Sequence, residues 1–191
     1  MNNGMERREF VRVMASAGVA IACSGMRRPP HAARLDRIGL QLYTVRDVLE
    51  HDFEGTLARV AEIGYKEVEF AGYFNHSPAD VRAILDRHGL ASPAVHVGSI
   101  EPDAWKASLD AAHVIGHEYI VVPWVPQEKR MTLDGWEKVA EDFNRAARTA
   151  HDAGIQFAYH NHDFEFPRME GQVPYDVLLQ NTDPIDRKSV V

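Results

Sequence analysis

The residues best suited to chemistry lie in the stretch FAYHNHDFEF, residues 157–166, where a run of strand-forming residues ends in two histidines. Successive side chains of a strand point to opposite faces, so His160 and His162 are predicted to project from the same face. Imidazoles exchange protons near neutral pH and bind metals, which makes this pair the strongest local indication of a functional site. Glu165 follows in a predicted loop, where we expect it to hydrogen-bond either a ligand or a neighbouring helix.

Polar or aromatic side chains also stand near the ends of the other predicted strands, namely Gln41 and Tyr43, then Glu69, then His96, then Trp124. A single histidine or glutamate in such a place is often a hydrogen-bonded structural residue or a solvated one. Burying an unpaired charge costs several kcal/mol, so ionisable groups inside a fold are kept only with partners or a metal. The convergence of separate strand ends therefore predicts a site more strongly than any one residue does.

The elements that must position these side chains alternate regularly along the chain. Strands are predicted at residues 38–45, 65–70, 92–98, 119–125 and 155–162, and helices at residues 52–63, 78–88, 105–115, 133–153 and 175–180. A glycine is predicted to close each helix before the next strand, at Gly64, Gly89, Gly116 and Gly154. Three histidines on helices or turns are predicted to lie at the surface and two tryptophans to pack inside: His113, His117, His151, Trp105 and Trp136.

Strict alternation of strand and helix predicts a parallel sheet, because each crossover helix returns the chain to the same end. No glycine-rich phosphate-binding loop follows any predicted strand, which disfavours a nucleotide-binding doubly wound fold. A barrel is favoured instead. In a parallel barrel the active site lies at the carboxyl ends of the strands, which is where the polar residues collect.

Composition narrows the possible functions of this 191-residue chain. A net charge of −7, with no long basic run after Arg28, disfavours binding to nucleic acid through phosphate neutralisation. The single cysteine, Cys23, excludes an internal disulfide framework and a cysteine-based zinc site. Any metal site must therefore use His, Asp and Glu.

The first thirty residues resemble a twin-arginine export signal rather than part of the fold. Arg7 and Arg8 precede a weakly apolar stretch, residues 11–23, that is too short to cross a bilayer of about 30 Å. Such a signal implies export to the periplasm, with Cys23 as a possible lipid acceptor; the alternative is a frayed basic terminus. Residues 27–33 contain two prolines and are predicted to be a linker.

Four segments together resemble the sugar phosphate isomerase/epimerase superfamily of xylose isomerase-like barrels, which also includes inosose dehydratases and a metal-dependent endonuclease branch. They are IGLQLYTVRD, GYKEVEFAGY, PAVHVG and AGIQFAYHNHDFEF, and the resemblance extends over residues 38–184. It implies a (β/α)8 TIM barrel that holds one divalent cation, either manganese, magnesium or zinc, and moves a proton between adjacent carbons of a small sugar or polyol.

The resemblance also implies roles for particular residues. His160 stands at the position of the first metal ligand, where the family commonly has glutamate, and the other ligands would come from later strands. Glu69 and His96 match positions that contact substrate hydroxyls, and we expect them to be catalytic. We expect the substrate to be bound by Gln41, Tyr43, Trp124 and His162.

Only five strand-helix units are predicted, whereas a complete barrel needs about 250 residues. We therefore expect residues 31–191 to be a partial barrel, inactive alone, from an exported enzyme whose full-length form can be a homo-oligomer. Two alternatives stay open. One is a lyase of the same superfamily, such as a dehydratase or an enzyme that cleaves keto-glycosides; the other is a non-catalytic exported sugar-binding protein or an inactive remnant.

Overall fold

The computed structural model describes residues 37–184. The predicted signal, the linker and Cys23 lie outside these described residues. Five strands and six helices follow one another as β1 (Gly39–Gln41), α1 (Arg46–Leu49), α2 (Phe53–Ile63), β2 (Glu67–Phe70), α3 (Pro78–His88), β3 (Ala91–His96), α4 (Pro102–Ile115), β4 (Tyr119–Val122), α5 (Leu133–Asp152), β5 (Gln156–Tyr159) and α6 (Pro174–Asn181). Within residues 37–184 no helix has the length and apolar character needed to cross a membrane.

The five strands form one parallel sheet in the order β1-β2-β3-β4-β5. Each strand thus pairs with the next one along the chain, which is the connectivity of a barrel rather than of a doubly wound sheet. The partial (β/α) barrel predicted from the alternation of elements is confirmed. All five strands point their carboxyl ends to the same edge of the sheet, and the candidate site lies there.

The sequence sets the ends of the helices through local hydrogen bonds. Before α3 the side chain of Ser77 accepts a hydrogen bond from the N–H of Asp80 at 3.2 Å, and Pro78 fills the first helical position. The same helix ends at Gly89, whose φ of 63° is left-handed and costs little without a Cβ. These local signals explain why the helices could be predicted within a few residues.

A hydrophobic core between the sheet and the helices includes both tryptophans that the sequence predicts to pack inside. Trp136 is 1% exposed and Trp105 is 4% exposed. The indole N–H of Trp105 donates to the hydroxyl of Thr149 at 2.9 Å, so its burial leaves no polar group unpaired. The core holds the helices against the outer face of the sheet and leaves the strand ends open.

The first predicted strand, residues 38–45, is wrong in its second half. Strand β1 ends at Gln41, and Leu42–Val45 forms a 3-10 turn. The side chain of Gln41 accepts from the N–H of Tyr43, and the hydroxyl of Thr44 donates to the carbonyl of Gln41 at 2.8 Å. These hydrogen bonds compete with sheet pairing and turn the chain away from the sheet at the carboxyl end of β1.

His117 is buried, which corrects its predicted surface position, whereas His113 and His151 are exposed as predicted. The Nδ1–H of His117 donates to the carbonyl of Ser92 at 2.6 Å, and the Nε2 of His117 accepts from the hydroxyl of Tyr73 at 3.0 Å. The residue follows the glycine that ends α4, where sequence alone suggests a solvated turn. Two long-range hydrogen bonds instead make this imidazole part of the interior.

Stability is expected to decrease as pH falls because of His117. Burial, and to a smaller degree the charge of Arg82, lower the pKa of His117, while its bond to Ser92 acts in the opposite direction. The unfolded chain therefore binds a proton near pH 6.5 while the folded chain does not, and stability present above that pH is lost below it. Urea unfolding at pH 7.5 and 5.5 measures the difference.

The control for this prediction is His113→Gln, which removes an exposed histidine and is expected to keep the pH dependence. His117→Gln is expected to reduce it, in addition to lowering stability at pH 7.5. An unchanged pH dependence in His117→Gln would contradict the assignment to this imidazole.

Candidate functional site at the carboxyl ends of the strands

A cleft of about 760 Å³ opens at the carboxyl edge of the sheet. Residues that end or follow the five strands line it: Gln41, Tyr43, Thr44, Ala71, Gly72, His96, Gly98, Pro123, Trp124, His160 and His162. Six of the seven residues predicted for the site are among them. The seventh, Glu69, lies against His96 and is not one of the described residues that line the cleft.

Three side chains from neighbouring strands are in contact with one another, with His96 between Gln41 and Glu69. The Nε2 of His96 lies 2.8 Å from a carboxylate oxygen of Glu69, and its Nδ1 lies 3.3 Å from the amide nitrogen of Gln41. Strand register brings these residues together: Gln41 pairs with Glu69 across β1 and β2, and His96 ends the adjacent β3. The predicted convergence of these residues at one rim agrees with this geometry.

The hydrogen-bond donors decide the tautomer of His96. The amide oxygen of Gln41 already accepts from the N–H of Tyr43, so the amide nitrogen is the group that faces His96. That nitrogen can only donate, so Nδ1 of His96 is the acceptor, and in the neutral ring Nε2 carries the proton, 2.8 Å from the carboxylate of Glu69. The arrangement leaves a lone pair on Nδ1 at the cleft and a carboxylate behind the ring.

His160 and His162 lie after strand β5 rather than within it, because β5 ends at Tyr159. The N–H of His160 still pairs with the carbonyl of Val122 at 3.0 Å, but the N–H of His162 donates at 2.8 Å to the side chain of Glu165. The predicted strand, residues 155–162, is therefore too long. Both imidazoles nevertheless line the cleft, with ring centroids 5.0 Å apart.

The surroundings of His160 favour its neutral form. Burial lowers its pKa, and the neighbouring imidazoles of His96 and His162 lower it further, whereas Glu69 and Glu165 act in the opposite direction. Its ring lies 5.3 Å from that of His96, centroid to centroid. A neutral imidazole keeps a lone pair available for a metal or for a substrate hydroxyl.

The described residues fit part of a metal site and not a complete one. Within residues 37–184 no group of three or more His, Cys, Asp or Glu side chains is placed to hold a metal ion. Both ring nitrogens of His96 are engaged by Gln41 and Glu69, so His160 and His162 are the histidines of the cleft that suit a ligand role. A full coordination shell requires donors from beyond this range.

Two aromatic residues of the cleft are exposed. Tyr43 is 57% exposed and Trp124 is 48% exposed, although large aromatic side chains are usually buried. The guanidinium of Arg46 stacks on the Tyr43 ring at 4.1 Å and helps to fix it. An exposed ring beside hydrogen-bonding groups suits a ligand that is apolar on one face and polar at its edges, as a sugar ring is.

The sequence did not identify several lining residues. Thr44, Ala71, Gly72, Gly98 and Pro123 contribute to the cleft through loops that directly follow the strands. Their position after a strand is a weak signal that could have indicated them, but their side chains carry little chemistry of their own. They shape the cleft, whereas the polar residues predicted earlier supply its reactive groups.

The comparisons with known proteins agree with this architecture. A family model described as xylose isomerase-like TIM barrel matches residues 57–173. A sugar phosphate isomerase/epimerase from Parabacteroides distasonis is 27% identical, with a TM-score of 0.70 over 81% of this chain. The chain spans 65% of the length of that protein. No curated protein matches the sequence.

Two further solved structures share the fold. AP endonuclease, family 2, from Brucella melitensis has a TM-score of 0.55 and 17% identity over 65% of this chain and 55% of its own. A xylose isomerase domain containing protein from Salmonella typhimurium has a TM-score of 0.54 and 14% identity over 78% of this chain and 58% of its own. At these identities the likeness concerns the fold alone.

Proposed function

We propose that this chain, which belongs to the xylose isomerase-like TIM barrel family, carries the proton-transfer site of an enzyme that isomerises or epimerises a small sugar or polyol. The observation that carries the proposal is the position of His96 at the rim of the cleft, with Nδ1 next to the amide of Gln41 and Nε2 2.8 Å from the carboxylate of Glu69. The likeness of this chain to a sugar phosphate isomerase/epimerase, over 81% of its length, supports the same reaction class.

His96 would act as the general base. Among residues 37–184 the partner of Nδ1 is the Gln41 amide, at the long distance of 3.3 Å, and we propose that a substrate group takes the place of that amide. Nδ1 would remove a proton from the carbon next to a carbonyl; after this proton has exchanged with solvent, the imidazolium would protonate the adjacent carbon on the same face. Glu69 would stabilise the imidazolium that exists between these two steps. Epimerisation would need a second acid on the opposite face of the substrate.

The resemblance implies a divalent cation, which would polarise the substrate oxygens and make the neighbouring C–H more acidic. His160 is the residue that we propose as its ligand, and His162 stands beside it with a centroid separation of 5.0 Å. The cation is proposed as manganese, magnesium or zinc. Gln41 and His162 would orient the substrate through hydrogen bonds to its hydroxyl groups.

Product analysis tests the reaction class. The purified protein, expressed from its complete gene, is incubated with a panel of aldoses, ketoses, polyols and keto-glycosides in the presence of Mn²⁺, Mg²⁺ or Zn²⁺. A product of unchanged mass supports isomerisation or epimerisation. Loss of water or of an aglycone would instead assign the protein to the lyases, and metal-independent binding without turnover would assign it to the sugar-binding proteins.

Trp124→Ala is expected to weaken substrate binding while the folded structure is kept. Loss of an aromatic face costs about 0.5–1.5 kcal/mol, which corresponds to roughly a two- to tenfold higher KM. Trp124→Phe is expected to retain most of the affinity. Met131→Ala, which removes another exposed side chain that is not among the described lining residues, is the matched control. Equal KM values for Trp124→Ala and Met131→Ala would contradict a role in binding.

A further inference from the structure

Glu165 is a carboxylate with no solvent exposure, although it lies in the loop between β5 and α6. Burying a carboxylate costs several kcal/mol unless hydrogen bonds replace the lost water. The hydroxyl of Tyr159 donates to Oε1, and the backbone N–H of His162 donates to Oε2 at 2.8 Å. Each oxygen thus has a donor of its own, and both donors flank the histidine pair.

Glu165 is a junction between β5, its own loop and α6, through its carboxylate and its backbone carbonyl. Tyr159 is the last residue of β5, and the carbonyl of Glu165 accepts from the N–H of Tyr175 at 3.0 Å in the first turn of α6. Burial, together with the bond to Glu165, raises the pKa of Tyr159, so its hydroxyl stays protonated and continues to donate. The Tyr159 hydroxyl therefore remains a donor to Glu165.

The ring of His162 is fixed by a second set of contacts. It stacks on Phe164 with a centroid distance of 5.2 Å and an interplanar angle of 10°. The guanidinium of Arg130 lies 3.7 Å from the centroid of the same phenyl ring and donates from Nε to the carbonyl of Val125 at 3.1 Å. Glu165 holds the backbone of His162, while Phe164 and Arg130 set the plane of its ring.

We propose that Glu165 is a positioning residue that keeps His162 at the cleft and next to His160. Without the carboxylate, the N–H of His162 and the hydroxyl of Tyr159 would lose their common acceptor, and the loop that carries the histidine pair would separate from the strand end. The relevance of this role to catalysis rests on the proposed function. The structural role itself does not depend on it.

The test combines NMR of the full ¹⁵N-labelled chain with enzyme kinetics. The amide and ring signals of His162 are assigned with His162→Gln. Glu165→Leu is expected to shift both signals and to broaden them. Glu165→Gln can still accept from the N–H of His162 through its amide oxygen. In this variant the ring signal of His162 is expected at its position in the unmodified protein. The amide proton of His162 is expected to move upfield, because a charge-assisted hydrogen bond becomes a neutral one. Exposed Glu137→Gln is the matched control.

Tyr159→Phe provides a second variant in case Glu165→Leu does not fold, because it removes only the hydroxyl group. It is expected to move the His162 amide signal, and to lower kcat/KM about tenfold with a smaller change in KM, as removal of a supporting hydrogen bond commonly does. Signals of His162 that stay at the positions seen in Glu137→Gln would overturn the proposal. If the unmodified protein expressed from its complete gene turns over no sugar, the proposed function fails, and the NMR shifts still decide the role of Glu165.

Discussion

Replacement of His96 by alanine is expected to lower kcat/KM by about 10²–10⁴-fold, the range that a general acid or base contributes. The reason is the position of His96, which lines the cleft while its Nε2 lies 2.8 Å from a carboxylate oxygen of Glu69. Steady-state kinetics with the sugar identified in the substrate panel measures the effect. Glu69→Gln is expected to produce a smaller loss, because the base remains and only the stabilisation of its protonated form is weakened.

The matched control for this experiment is His113→Ala, which removes an exposed histidine from α4. Thermal unfolding of both variants separates lost chemistry from lost structure, since His96→Ala leaves the half-buried carboxylate of Glu69 without its partner. A His96→Ala protein that is folded and retains the kcat/KM of His113→Ala would exclude His96 as the base.

The second large effect is expected for His160→Ala, which removes the ligand proposed for the divalent cation. Substitution of a residue that hydrogen-bonds to a metal ligand commonly weakens metal affinity by about 10- to 100-fold. Loss of a ligand itself is expected to reduce the affinity at least as much. Metal content after dialysis and titration with Zn²⁺ or Mn²⁺ measure the change. The protein is expressed from its complete gene, because residues 37–184 do not by themselves supply three ligands.

His151→Ala, at the exposed end of α5, is the control for nonspecific metal binding to histidines. His162→Ala is expected to reduce metal affinity less than His160→Ala does, since its ring is stacked on Phe164 at the side of the cleft. One equivalent of tightly bound metal in His160→Ala would contradict the ligand assignment.

The alternation of elements and the helix ends were predictable because their causes are local. Ser77 caps its own helix, Gly89 ends it, and the apolar spacing of α5 places Trp136 in the core. The rim position of Gln41, Glu69 and His96 followed from the general direction of parallel strands. Their hydrogen bonds did not, because these depend on the strand register and on the amide orientation that Tyr43 imposes.

The predicted strand ends and the predicted surface position of His117 were wrong where a side chain forms a hydrogen bond that the sequence pattern does not show. Gln41 ends β1 by accepting from Tyr43, and Glu165 ends the pairing of β5 by accepting from His162. His117 is buried because Ser92 and Tyr73, both distant in sequence, supply its partners. None of these contacts produces a hydrophobic period, so the sequence pattern carries no signal for them.

The most direct test of the central claim is to follow solvent deuterium into the sugar. The protein is incubated with its substrate in D₂O, and the sugar is analysed by NMR and mass spectrometry, in parallel with His96→Ala. We expect one deuterium at a carbon adjacent to the carbonyl in the presence of unmodified protein, and its near absence with His96→Ala. Turnover without deuterium at that carbon, or equal incorporation in both proteins, would contradict proton transfer by His96 at this cleft.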